Sequence, residues 1–209
     1  MLILKNPEVY TPEPLGRQDL LLGGGRILRV EPGIAIPERY CEVLDASGLI
    51  AVPGFIDAHV HMVGGGGEGG FATRTPELML SAVIRGGVTT VVGCLGTDGV
   101  SRTMGNLVAK ARGLDEEGVS TYVYTGHYEV PVQTLTGSIE GDLLFIDKVV
   151  GVGEVAVSDH RSSQPSFDAF AHAAGRRDPL PVNIAGVPAG VFESQLFGHV
   201  VGAFSGAGK

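Results

Sequence analysis

Cysteine is scarce in this chain. The two thiols, Cys41 and Cys94, lie far apart and form no CxxC pair, which excludes a disulfide framework and fits buried thiols in a reducing compartment. Basic residues are also few: 15 Lys and Arg against 23 Asp and Glu give a net charge of -8. That balance argues against nucleic acid or an anionic membrane as partner. No apolar run reaches the ~20 residues of a membrane span. The N-terminus, Met1-Leu2-Ile3-Leu4-Lys5-Asn6, lacks the basic-then-apolar order of a signal peptide. These absences predict a soluble, cytoplasmic protein. What is present is apolar: 44% hydrophobic residues against 18% charged in 209 residues, enough for a real core and against overall disorder.

Two textures divide the chain. Residues 1–48 carry short strand-like runs (Leu2-Ile3-Leu4, Asp19-Leu20-Leu21-Leu22, Arg26 to Val30, Glu42 to Ala46) between Pro- and Gly-rich turns, the pattern of a small β-sandwich segment. From residue 49 to about 174, strands alternate with helices. Predicted strands are 49–58, 88–95, 120–125 and 149–157; predicted helices begin at Thr75, Arg102, Ile139 and Ser166. Repeated βα units in one order imply a parallel sheet, and four units make half of a (β/α)8 barrel. Residues 175–209 form a Gly- and Ala-rich tail without that alternation.

Barrel chemistry sits at the C-terminal ends of strands. The first predicted strand, read as buried, ends in His59-Val60-His61. Alternate strand residues face the same side, so both imidazoles can reach one metal ion. A bare His-x-His pair also occurs on ordinary exposed strand ends. Here the pair is followed by Gly64-Gly65-Gly66-Gly67-Glu68, a run that lets backbone approach a bound group closely. The other strand ends carry Gly96-Thr97-Asp98, His127-Tyr128-Glu129 and, from Glu154, Ser158-Asp159-His160-Arg161.

The segment Val52-Pro53-Gly54-Phe55-Ile56-Asp57-Ala58-His59-Val60-His61 is similar to the first barrel strand of the metal-dependent amidohydrolase superfamily. With the glycine run, Gly93 to Asp98, Thr125-Gly126-His127-Tyr128-Glu129-Val130-Pro131 and Ser158 to Ser162, it resembles the isoaspartyl (β-aspartyl) dipeptidases over roughly residues 1–172. The resemblance implies two zinc ions and a bridging hydroxide that attacks the isopeptide bond of a β-aspartyl dipeptide. His59 and His61 would hold the more buried zinc. Glu68 would bind the substrate ammonium, with Thr97 and the Gly66 backbone seating that end. Tyr128 would face the oxyanion and Arg161 a substrate carboxylate. It also implies a homo-oligomer.

Two departures accompany the resemblance. The family's bridging carbamylated lysine corresponds here to Glu154, which supplies two oxygens directly but could also be an ordinary strand-end carboxylate. Lys148, at the strand's start, is the weaker alternative. The family's two later histidines and final aspartate have no counterpart, His199 being the one tempting late residue, so impaired activity is expected. The tail has the texture that a slipped reading frame near residues 173–176 would give. Alternative functions are another amidohydrolase, dihydropyrimidinase-like or D-aminoacylase-like, or a non-catalytic remnant.

Overall fold

The computed structural model describes residues 1–174 and 182–185. Two compact units divide the chain, Met1–Gly54 and Phe55 onward. In the first, β1 (Leu2–Lys5), β2 (Glu8–Tyr10), β3 (Pro14–Arg17), β4 (Asp19–Gly23), β5 (Arg26–Glu31), β6 (Glu42–Asp45) and β7 (Ile50–Ala51) form two sheets, ordered β5-β4-β1-β6 and β3-β2-β7. Ile3, Leu21, Ile34 and Cys41 pack as their core. Buried Asp19 ties three segments together, accepting from Lys5 Nζ at 2.6 Å, Asn6 N at 3.1 Å and Ile34 N at 2.9 Å. Burial alone would raise its pKa; the Lys5 ammonium and the two amides reverse the sign and leave it lowered.

The second unit alternates β8 (Phe55–Val60), α1 (Leu80–Arg85), β9 (Val88–Gly93), α2 (Met104–Glu116), β10 (Ser120–Thr125), α3 (Ile139–Phe145), β11 (Val149–Ala156), α4 (Phe167–Ala174) and β12 (Val182–Ala185). The sheet runs β12-β11-β10-β9-β8 with every pair parallel. Parallel neighbours need a long crossover, and each helix supplies one. Helix α2 is capped by Thr103, whose side chain accepts from Asn106 N at 3.3 Å. Its Leu107, Ala111 and Leu114 recur at helical spacing and are fully buried against Val91, Val123 and Val149. Either leucine cut to alanine costs about 2–5 kcal/mol. Register aligns Val60 with Gly93 and Thr125 with Val152, so the strands' C-terminal ends share one rim.

Several sequence expectations change. The run 49–58 is two strands: Ile50–Ala51 joins β2 in the first unit, and Pro53-Gly54 interrupts before β8. Proline has no N–H to give a ladder, so the units divide at Gly54 rather than after residue 48. Strand β8 is also not buried. Phe55 and Ile56 are 60% and 69% exposed, β8 being the edge strand of the described sheet, paired with β9 alone. The helix expected from Thr75 starts only at Leu80, since Thr75 is drawn into the glycine loop, exchanging bonds with Gly65. A fifth strand, Val182–Ala185, adds to the four read from the sequence.

Candidate metal centre and charged rim

His59 and His61 project together from the end of β8, their ring centroids 5.5 Å apart. Glu154, near the end of β11, meets both: its Oε2 lies 3.0 Å from His59 Nε2 and 3.5 Å from His61 Nε2. Cys94, just past β9, places Sγ 3.6 Å from the same oxygen. One donor atom from each of the four lies within 4.8 Å of the others. Gly96 makes room for His61: at φ 74° it takes a conformation suited to glycine, and a Cβ there would overlap the imidazole.

Metal bonds of ~2.0–2.2 Å to nitrogen or oxygen put tetrahedral donors ~3.3–3.6 Å apart, centred on ~3.4 Å. The two histidine–carboxylate separations, 3.0 and 3.5 Å, bracket that edge. Glu154 is buried, and a carboxylate removed from water requires a compensating charge. The donor set therefore fits a divalent cation. Burial first, then the charge of Glu154, pushes the Cys94 thiol far up when no cation is present.

Above this floor lies a charged rim. Arg161 grips Asp159 with two bonds, Nε to Oδ1 at 2.8 Å and Nη2 to Oδ2 at 2.9 Å. Its Nη1 reaches Glu68 Oε1 at 3.1 Å, and Thr97 Oγ1 donates to that oxygen at 3.0 Å. The guanidinium lies 5.3 Å from the Tyr128 ring centroid and donates to its hydroxyl at 3.4 Å. Bonds from Arg161 hold the Asp159 carboxyl far below the usual range. Glu68 is lowered by its own backbone N–H, then by Thr97 and Arg161. Tyr128 is raised by burial and by the negative charge of Asp159, so its hydroxyl stays protonated.

The rim has supports that sequence reasoning missed. Buried Arg102 donates to three carbonyls of the glycine loop: Val63 at 3.2 Å, Gly65 at 2.8 Å and Gly66 at 3.3 Å. Gly66, at φ 68°, also has no space for a side chain against the Thr73 carbonyl. Asp98 joins Arg102 to Arg74 at 3.2 and 2.8 Å; bonds from Ser101, then Arg74 and Arg102, hold its pKa at about 2. Asp142, fully buried, accepts from the Thr125 and Thr136 hydroxyls and from Leu135 N and Thr136 N. It pins the loop after β10. The available signal was a lone Arg or Asp at a helix start, which a capping role explains equally well.

One cavity of about 210 Å³ is lined by His61, Gly66, Glu68, Thr97, Tyr128, Glu154 and Arg161. His59 joins them through Glu154. The other candidates lie elsewhere. Lys148 sits at the opposite end of β11, bonded to Asp115 and the Thr121 carbonyl. His160 is 87% exposed and touches Asp159, so Arg161 is held by Asp159 rather than by His160. His127 is buried next to Gly99, its Nε2 3.6 Å from Glu129. His172 is exposed on α4, and His199 lies outside the described residues.

Residues 50–175 match the model of the amidohydrolase family. A second model, the sigma-54 interaction domain, matches residues 166–209. Among solved structures, a β-aspartyl dipeptidase from Fervidobacterium islandicum AW-1 is 52% identical with a TM-score of 0.79, covering 83% of this chain and 48% of its own. The same enzyme has been solved with a β-Asp-Leu dipeptide. Dihydroorotases from Staphylococcus aureus (strain N315) and Aquifex aeolicus are 37% and 38% identical over 91 and 93 residues, 44% of this chain in each case. The chain spans about half the length of the dipeptidase and about a fifth of the dihydroorotases.

Proposed function

The chain belongs to the amidohydrolase family, and we propose that it carries the metal-holding and dipeptide-recognising part of a zinc-dependent β-aspartyl dipeptidase. His59, His61 and Glu154 would hold the ion. Bound there, zinc supplies Lewis acidity and a water of lowered pKa. The observation that carries the substrate reading is the Glu68–Arg161 pair, 3.1 Å apart, in the same cavity as His61 and Glu154. A zwitterionic dipeptide presents an ammonium and a carboxylate. Glu68 takes the ammonium and Arg161 the carboxylate, so one protein ion pair is exchanged for two with substrate. Asp159 keeps the guanidinium oriented throughout, which limits the entropy lost on binding. Thr97 steers Glu68. Tyr128, kept protonated, donates to an oxyanion, a contact generally worth about 10²–10³ in rate. The dihydroorotase likeness does not account for this opposed pair, since a cyclic imide has no ammonium for Glu68.

Two buried free thiols suit a reducing, cytoplasmic setting, and the likeness to the dipeptidases is what supports a homo-oligomer. No described helix is long and apolar enough to cross a membrane. Calorimetric titration of the zinc-loaded chain tests the reading. β-Asp-Leu should bind in a zinc-dependent manner, Arg161→Lys should weaken it by about tenfold, and turnover should be low because the family's later ligands have no counterpart in the sequence. Equal or tighter binding of dihydroorotate, or dipeptide binding indifferent to zinc, would sink it.

A further inference from the structure

The metal reading above leaves one donor unused. Cys94 is fully buried, yet its sulfur faces the site rather than the core between sheet and helices. Sγ lies 3.6 Å from Glu154 Oε2, and one donor atom from each of His59, His61, Cys94 and Glu154 lies within 4.8 Å of the others. With a metal–sulfur bond of ~2.3 Å and a metal–oxygen bond of ~2.1 Å, a tetrahedral S–O edge is ~3.6 Å. The observed separation equals that edge, as the histidine–carboxylate separations bracket the N–O edge.

We propose that Cys94 is a fourth protein ligand, so that His59, His61, Glu154 and the Cys94 thiolate close a tetrahedral site around one soft divalent ion. The inference rests on the metal reading and extends it to a residue type that changes the chemistry. Charge supports it. Two neutral imidazoles, one carboxylate and one thiolate sum to -2, which a divalent ion cancels, leaving a half-buried site neutral. On binding, a metal–sulfur bond forms and the Cys94 proton leaves to solvent. A thiolate selects zinc, cadmium or cobalt over magnesium or manganese, which favour oxygen. Four protein donors fill a tetrahedral shell, so the water that the ion activates would take a fifth position, to which zinc can expand. In this chain the ion would order the strand ends beside the dipeptide cavity.

Cobalt(II) titration of the full chain tests this without reference to turnover. The expected result is one ion per chain, intense visible bands of four-coordinate cobalt, and a near-ultraviolet thiolate-to-cobalt charge-transfer band. Cys94→Ser should remove that band and weaken cadmium binding by about a hundredfold, whereas Cys41→Ser should keep it. The wild-type spectrum decides even where the Cys94 variant folds poorly. One bound cobalt without the charge-transfer band, or with the weak visible spectrum of six-coordinate cobalt, overturns the Cys94 assignment and leaves the His–Glu reading standing. No cobalt uptake overturns both.

Discussion

At the floor of the cavity, Glu154 is buried and is approached by His59, His61 and Cys94. At the rim, Glu68, Asp98 and Asp159 are each paired with an arginine. The floor gathers donors that converge on a point where a cation would sit, whereas the rim has its cations covalently built in. Convergent donors gain their main stabilisation from an added ion; a self-neutralised rim is formed in advance and gives way only to a ligand carrying both charges. The two regions should therefore respond to different perturbations.

The largest effect belongs to the floor. A structural ion contributes about 10–16 kcal/mol, so one of four donors accounts for roughly a quarter. His59→Ala or Glu154→Ala should lower zinc affinity by about a hundredfold to a thousandfold. Competitive titration against a chromophoric chelator measures this, and Arg161→Lys should leave the value unchanged. Rim and floor would prove to be one unit if the Arg161 variant lost zinc as well.

The second effect is on the scaffold beneath the rim. Arg102 holds three loop carbonyls and Asp142 four donors, and each side chain is buried. Removing either strands several polar groups at once. Arg102→Ala and Asp142→Ala should each destabilise the fold by about 2–4 kcal/mol, read from urea midpoints. Exposed Arg161 changed to Lys should shift the midpoint by no more than about 0.5 kcal/mol.

How much of this was legible in the sequence differs between floor and rim. Periodicity two placed His59 and His61 on one side, and the βα alternation gave β9, β10, β11 and α3 nearly to the residue. Cys94 was read as an ordinary buried thiol because burial is its commonest fate, and nothing in one strand reveals what the end of another brings near it. Arg102 was read as a helix residue for the same reason. Its side chain turns back to the glycine loop, and α2 starts at Met104 instead. Thr75 carries an N-cap signal that a tertiary bond to Gly65 overrides. Local pattern specifies strands and helices; contacts between strand ends are non-local. The tail shows the converse. Its texture suggested a slipped frame, yet residues 166–209 match a family model, and out-of-frame codons have no reason to reproduce a family's pattern.

The smallest effect concerns pH, and it separates the regions by the pH at which each gives way. Asp98 titrates at about 2 in the fold against an ordinary 3.8, because the Ser101 hydroxyl and amide, then Arg74 and Arg102, favour its charged form. A depressed folded pKa means that the unfolded chain takes up the proton first. The stabilisation is thus complete above about pH 4 and lost as pH falls towards about 2. Asp98→Asn should flatten that part of the urea-midpoint profile, with little change at pH 7 beyond the lost ion pairs. The carboxyl is partly solvated, so screening keeps the gain modest. Zinc retention should fail at a higher pH than the rim's stabilisation. Metal ligands must be deprotonated to bind, so metal should leave well above the window in which Asp98 titrates. Unfolding and zinc release that coincide between pH 2 and pH 4 would mean that rim and floor are a single cooperative structure.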